Sequence, residues 1–319
     1  MASGQVHASG ALLRIGTRGS PLALAQANEI CEPLAAIHAI PMDRIKDRIK
    51  LDVIRTTGDA IRDRPLAEAG GKGLFTKEID DALLAGAIDL GVHSAKDLPT
   101  TLPPGLAIVA VPPREDARDV FISRKAKSLR DLGSGAIVGT GSLRRQALLK
   151  RLRPDLAVVN FRGNVETRLR KLEEGAVDAT VLALAGLRRL GLAEKATAIL
   201  TIDEFLPAVG QGFLAVVARA DDVRVLPLIA PLNDTMSAKT LACERAFLAV
   251  LDGSCRTPIA GHSVIVGDRL HFQGLIAKPD GSRLLRAERE GRAHDAVLLG
   301  AEAGRELKAQ AGGDFFDYS

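Results

Sequence analysis

The chain has 319 residues, 46% hydrophobic and 26% charged, with 43 Lys and Arg against 39 Asp and Glu. This composition excludes a chain disordered throughout, and its apolar runs fall far short of the roughly 20 residues that a membrane-spanning helix needs. The beginning of the sequence lacks the basic start and long apolar core of a secretory leader. Cysteines at 31, 243 and 255 form neither a CxxC pair nor an even framework, so the expected compartment is the cytoplasm.

In chain order, LRIGT (13–17) is a short apolar run closed by a Gly-Thr turn, which predicts a central parallel strand followed by a helix. FTKEIDDALLAGAID (75–89) has helical apolar spacing and stops near Gly86. VPPREDARD (111–119) is Pro-rich and charged and reads as a hinge. The pattern then repeats: IGTRGSPLALAQA (15–27) resembles VGTGSLRRQALLK (138–150), and AGAIDLGVHSAKDLPT (85–100) resembles EGAVDATVLALAGLRR (174–189). Strands alternating with helices in two halves imply two α/β domains. EFLPAVGQGFLAVVAR (204–219) ends in a strand-like run that returns the chain to the first half, and TLACERAFLAVL (240–251) reads as a helix. HSVIVGDRLHFQGLIA (262–277) and RLLRAERE (283–290) alternate and turn at Gly-Asp and Asp-Gly, the signals of antiparallel hairpins in a small α+β third domain.

Five constellations carry chemistry. The turns Gly16–Ser20 and Gly139–Ser142 sit between strand and helix, where α/β folds bind ligands and helix N-termini attract anions. Helix capping accounts for Ser20 and Ser142. It does not account for the basic residues beside both turns, where Arg18, Thr140, Arg144 and Arg145 add donors. Arg162, Arg168 and Arg189 extend this cationic set. Any single Arg on a helix reads first as a solvated surface residue, but together across one cleft they imply a ligand with several carboxylates. In HSAKDLP (93–99), polar residues emerge at the end of an apolar strand. There Lys96 can neutralise an anion, and Asp97 is either a general acid/base or the cap of a turn before Pro99, while His93 reads as structural. LDGSCRTP (251–258) puts Cys255 in a loop, where it reads either as a reactive thiol or as an incidental one, whereas Cys31 and Cys243 lie in helical patterns. DRPLAEAGGKGLF (63–75) reads as either a lid carrying Lys72, with Phe75 at its base, or a plain surface loop.

Other motifs fail. GGKG (70–73) has Leu66 and Gly73 where a phosphate loop needs Gly and Ser or Thr, and GTGSLR (139–144) puts Arg144 at the sixth place of a dinucleotide fingerprint. Six scattered histidines predict no metal site. Aromatics at 3% argue against a nucleic-acid partner despite the Arg run. A two-lobed solute-binding protein that binds an anion without turnover is the competing class.

The stretches TRGSPLALAQA, TTGD, GGKGLFTKEID, VHSAKDLPT, REDARDVFIS, GTGSLRRQALL, RGNVETRL, LALAGLRRLGL, LPAVGQG and ERAFLAVLDGSCRTPIAG occur in this order, and by them the sequence resembles the porphobilinogen deaminase family over nearly its whole length. The resemblance implies two α/β domains like those of type 2 periplasmic binding proteins with a cleft between them, spanning 12–112 with 206–230 and 113–205, and a small α+β domain over 231–319. It implies condensation of four porphobilinogen molecules with loss of ammonia, primed by a covalent dipyrromethane cofactor, and release of the linear tetrapyrrole hydroxymethylbilane. It assigns Asp97 the acid/base role and Cys255 the thioether to the cofactor. Lys96, Ser94, Thr140, Ser142, Arg144, Arg145, Arg162 and Gly163 are assigned to cofactor binding. Arg18, Ser20, Arg168, Arg189, Gln211, Lys72 and Phe75 are assigned to substrate binding. A cytoplasmic monomer without nucleic-acid or membrane partner is the expectation. The chain departs from the family at Gly141, where relatives often have Ser, and at Val217, where many have Glu.

Overall fold

The computed structural model describes residues 10–60, 75–251, 257–312 and 315. Its strands in chain order are β1 (Leu13–Thr17), β2 (Ile49–Val53), β3 (Leu90–Ser94), β4 (Leu106–Ala110), β5 (Asp119–Ser123), β6 (Ile137–Gly139), β7 (Ala157–Val159), β8 (Ala179–Ala183), β9 (Ala198–Ile199), β10 (Leu214–Arg219), β11 (Ile259–Val266), β12 (Arg269–Ala277) and β13 (Leu284–Arg292). They form three sheets, ordered β2-β1-β3-β10-β4, β7-β6-β8-β5-β9 and β11-β12-β13.

The internal repeat becomes two sheets of matching order. In each, three parallel strands are followed by one antiparallel strand: β10 runs against β3 and β4, and β5 runs against β8. β10 returns to the first sheet after the chain has built the second, so two crossovers, 111–118 and 200–213, join the units. The first sheet is covered on both faces. Leu13, Ile15, Val92 and Val216 pack with Ile30 and Leu34 of the helix Pro21–Ile37. Ala215 and Val217 pack on the other face with Ile79 and Leu83 of the helix Lys77–Leu84. Coverage on both faces explains why these strands read as continuous apolar runs rather than alternating ones. At position 217, Val217 has no exposed surface and lies among aliphatic side chains.

The third sheet is antiparallel throughout, with β12 paired to both neighbours. The helices Thr235–Val250 and Ala296–Ala311 cover it, with Phe247, Phe272 and Leu299 in the shared core. The two helices approach closely because Gly300 and Gly304 lack side chains; a Cβ on Gly300 would lie 2.0 Å from the Cys243 carbonyl oxygen. The first of these helices begins at Thr235, five residues before the apolar run that announced it. Asp234 caps it by accepting a hydrogen bond from the Ser237 amide.

Candidate functional site

Both predicted turns cap helices. Ser20 accepts from the Ala23 amide at 3.3 Å ahead of the helix Pro21–Ile37, and Ser142 accepts from the Arg145 amide at 3.4 Å ahead of the helix Leu143–Leu152. Thr140 is buried and takes the Ser142 amide on its hydroxyl at 3.1 Å. The hydroxyls thus shape the turns, and the arginines supply the charge.

Arg144 and Arg145 are 4% and 6% exposed, although they stand in the first turn of a helix. They converge on Asp119, the first residue of β5, which has no exposed surface. A terminal nitrogen of Arg144 donates to Asp119 Oδ2 at 2.7 Å, and one of Arg145 donates to Oδ1 at 2.8 Å. Burial alone would raise the Asp119 pKa, but the two guanidinium charges prevail and hold it well below the usual carboxylate range. Arg144 also donates to the Leu206 carbonyl at 2.7 Å.

Gln211, on the second crossover, ties this cluster to the first unit. Its Nε2 donates to Asp119 Oδ1 at 2.9 Å and to the Ala117 carbonyl at 2.7 Å, while its Oε1 accepts from Lys96 Nζ at 3.3 Å. Lys96 lies in a short 3-10 turn, Ala95–Asp97, immediately after β3. Burial, then the neighbouring Arg145 charge, push its amine down to about 8 against the opposing pull of Asp97 and Asp119. Asp97 ends that turn and is exposed, and its carboxylate accepts no hydrogen bond from a described residue. The turn closes without it, through the Leu98 amide on the Ala95 carbonyl, so the turn-cap role weighed for Asp97 is absent. Ser94 receives the Gln26 amide on its hydroxyl at 2.7 Å, which fixes the end of β3 to the first helix. His93 is buried, and burial, then Arg18, push it down to about 4.

Other predicted residues border the same region. Arg168, on the helix Val165–Glu173, is half-buried and lowered to about 10 by burial and then by Arg145. Arg162 precedes Gly163, whose φ of +126° suits glycine and whose missing Cβ would meet Thr167 at 2.7 Å. Arg18 stacks its guanidinium 4.2 Å from the ring centre of Phe75. Arg189 is placed differently from the expectation of a ligand-facing cation: it forks onto Glu29 of the first unit at 2.7 and 3.3 Å and onto the Gly212 carbonyl at 3.1 Å. Gly141 is exposed in its turn, and a Cβ there would stand 3.3 Å from the Arg162 side chain, tight but against a flexible neighbour. Cys255, Lys72 and residues 63–74 of the expected lid lie outside the described residues. Cys31 and Cys243 are buried, and their thiols are pushed up to about 11 and about 12, in keeping with inert core positions.

The residue that sequence reasoning missed is Asp119. Its signal was a carboxylate opening an otherwise apolar strand run, DVFIS, which demands a buried cationic partner.

The cluster has unspent donors. The buried Nε atoms of Arg144, Arg145 and Arg162 have no hydrogen-bond partner among the described residues. Buried guanidinium N–H groups are costly when unmade, so this arrangement suits an anionic ligand offering several acceptor oxygens. A dipyrromethane, with a carboxylate on each of its acidic substituents, would fit such donors.

Fold and site together define a two-unit α/β protein with a buried, arginine-rich cluster at the junction of its sheets. The family model "Porphobilinogen deaminase, dipyromethane cofactor binding domain" matches residues 13–227, and the model of the family's C-terminal domain matches 238–309. The chain is 59% identical over 305 residues to a porphobilinogen deaminase of Nitrobacter hamburgensis, covering 96% of this chain and 95% of that one. It is 53% identical over 307 residues to the one of Paracoccus denitrificans, covering 96% and 97%. The chain belongs to the porphobilinogen deaminase family. Among solved structures it is similar to a periplasmic substrate-binding protein of an ABC transporter from Coxiella burnetii, at 15% identity and a TM-score of 0.42, over 73% of this chain and 96% of that chain.

Proposed function

We propose that this chain is a transferase that condenses four porphobilinogen molecules head to tail, releasing one ammonia per unit, and frees the linear tetrapyrrole with water. The observation that carries the residue assignment is that Lys96, next to Asp97 in one short turn, feels the charges of Arg144 and Arg145, whose buried Nε atoms have no partner among the described residues. The dipyrromethane, held by a thioether to Cys255, supplies when bound the pyrrole carbon on which the first unit is placed.

The chain's own residues then divide the work. Arg144, Arg145, Arg162 and Lys96 hold carboxylates, with Ser94, Thr140, Ser142 and Gly163 shaping the turns around them. Arg18, Arg168, Phe75, Ser20, Gln211 and Lys72 border the incoming substrate. Asp97 delivers a proton to the aminomethyl nitrogen of porphobilinogen. The carbon–nitrogen bond then breaks, ammonia leaves, and a positive charge develops on the pyrrole. The resulting carboxylate of Asp97 stabilises that charge and afterwards accepts the proton lost when the new carbon–carbon bond rearomatises the ring. Fixed cations around it neutralise the acidic substituents, so that Asp97 supplies the negative charge at the reacting carbon. Domain boundaries at 12–112 with 206–230, 113–205 and 231–319, a monomeric state, a cytoplasmic location and the lack of a nucleic-acid partner belong to this reading. Among the described residues no helix is long and apolar enough to cross a membrane.

The test compares Asp97→Asn with Asp97→Glu. Loss of the proton and the charge should lower turnover by roughly 10²-fold or more for Asn, while Glu retains more activity because its charge survives a displacement of one methylene. Melting temperatures should stay near that of the parent, since the carboxylate accepts no hydrogen bond from the described residues. An active Asn variant would end the catalytic assignment.

A further inference from the structure

The first and second units meet where the helix Pro21–Ile37 passes the helix Leu184–Arg189. Gly186 lies against Leu22 there, a Cβ on it reaching 3.7 Å from Leu22 Cδ2. Further along each helix, Arg189 Nε donates to Glu29 Oε2 at 2.7 Å, and a terminal nitrogen reaches Oε1 at 3.3 Å. The same terminal nitrogen donates to the Gly212 carbonyl at 3.1 Å. Gly212 follows Gln211, which bridges Lys96 and Asp119. The ion pair therefore stands one residue from the network of the candidate site and joins the two units across it.

The two partners are unequal. The Arg189 side chain is 7% exposed and anchored to the backbone of the second crossover, whereas Glu29 is 43% exposed. The guanidinium is thus the fixed half and the carboxylate the exchangeable half. A guanidinium fork binding both oxygens of a carboxylate is also how such a side chain recognises a carboxylate ligand. A water-accessible pair of this kind holds weakly, worth about two- to five-fold in an equilibrium constant, so a ligand carboxylate can displace Glu29.

We propose that Glu29 is a positioning residue that closes the two units through Arg189 and is exchanged there for a carboxylate of the bound substrate chain. This rests on the function proposed above, because that reading supplies a ligand with two carboxylates per unit. Glu29 is then an internal competitor. Its removal strengthens substrate binding without touching the group that moves the proton, so the effect falls on KM and leaves kcat alone.

Glu29→Gln and Glu29→Ala, measured with porphobilinogen beside the parent, should each lower KM about two- to five-fold, with kcat within about two-fold of the parent. Melting temperature is recorded for each. A purely structural ion pair predicts a lower melting temperature with KM unchanged or raised, and that outcome would overturn the proposal. The functional reading fails separately and visibly: a parent that shows neither ammonia release from porphobilinogen nor added pyrrole mass would remove that reading and this proposal with it, whereas an active parent with KM values equal across the three proteins would remove this proposal alone.

Discussion

Replacing Asp119 with Asn isolates the electrostatics that hold the candidate site together. The amide is nearly isosteric and can still accept a hydrogen bond, so packing is preserved while one buried negative charge disappears. Arg144, Arg145 and Lys96 are then left beside one another, and of the two carboxylate oxygens that accept from Arg144 at 2.7 Å and from Arg145 at 2.8 Å in the parent, one is replaced by an amide NH2 that accepts nothing. Removing one partner of a buried ion pair typically costs about 3–5 kcal/mol. The lower half of that range applies where a hydrogen-bond acceptor remains, so unfolding in urea at pH 7 should show the variant weaker by about 3 kcal/mol. The pH dependence gives the sign independently. The folded-state pKa of Asp119 is depressed, so its contribution is fully present above the unfolded value of about 3.9. The contribution is lost as pH falls from there through the folded value. Parent and variant should therefore differ by a constant amount from about pH 5 to 7 and converge toward strong acid. A variant within about 1 kcal/mol of the parent at pH 7, or a gap that does not narrow in acid, would refute the account of the Arg–Asp–Arg cluster.

Three further outcomes are expected. Lys96, held at about 8, should lose its charge as pH rises through that value, so that affinity for a carboxylate-bearing substrate falls above about pH 8 in the parent and not in Lys96→Gln. In the opposite sense for folding, a depressed lysine makes stability rise with pH between its folded and unfolded values, which denaturation at about pH 8 and about pH 10 checks. Arg145→Leu should leave a folded protein with little cofactor attached, seen by mass after incubation with porphobilinogen; normal loading would show that its unpartnered Nε serves no ligand.

The parts of the fold that were legible in the sequence were those set locally. Strand, turn and capping serine follow one another within a few residues in both halves, so Ser20 and Ser142 announced their helices directly. The hairpins of the third sheet were legible for the same reason, since Gly267 and Gly281 mark their turns. What the sequence could not show was which charges meet. Asp119 finds Arg144 across 25 residues and Gln211 across 92, and Arg189 finds Glu29 across 160. The first distance is closed by the packing of the second sheet, and the two longer ones by the second crossover and the docking of the two units. Arg189 accordingly read as one more cation for the ligand, and its engagement with Glu29 emerged only once the units were assembled. Asp97 ran the other way. From sequence alone a turn cap competed with catalysis, and the structure shows a turn that closes without its carboxylate.

The measurement that bears most directly on the central claim is the intact mass of the denatured protein, followed by peptide mapping. A covalent increment equal to two linked pyrrole units, carried by the peptide that contains Cys255, is the predicted result. The buried thiols of Cys31 and Cys243, pushed up to about 11 and about 12, should remain unmodified. An unmodified mass in a protein that nevertheless turns over porphobilinogen, or an adduct on either buried cysteine, would contradict the account.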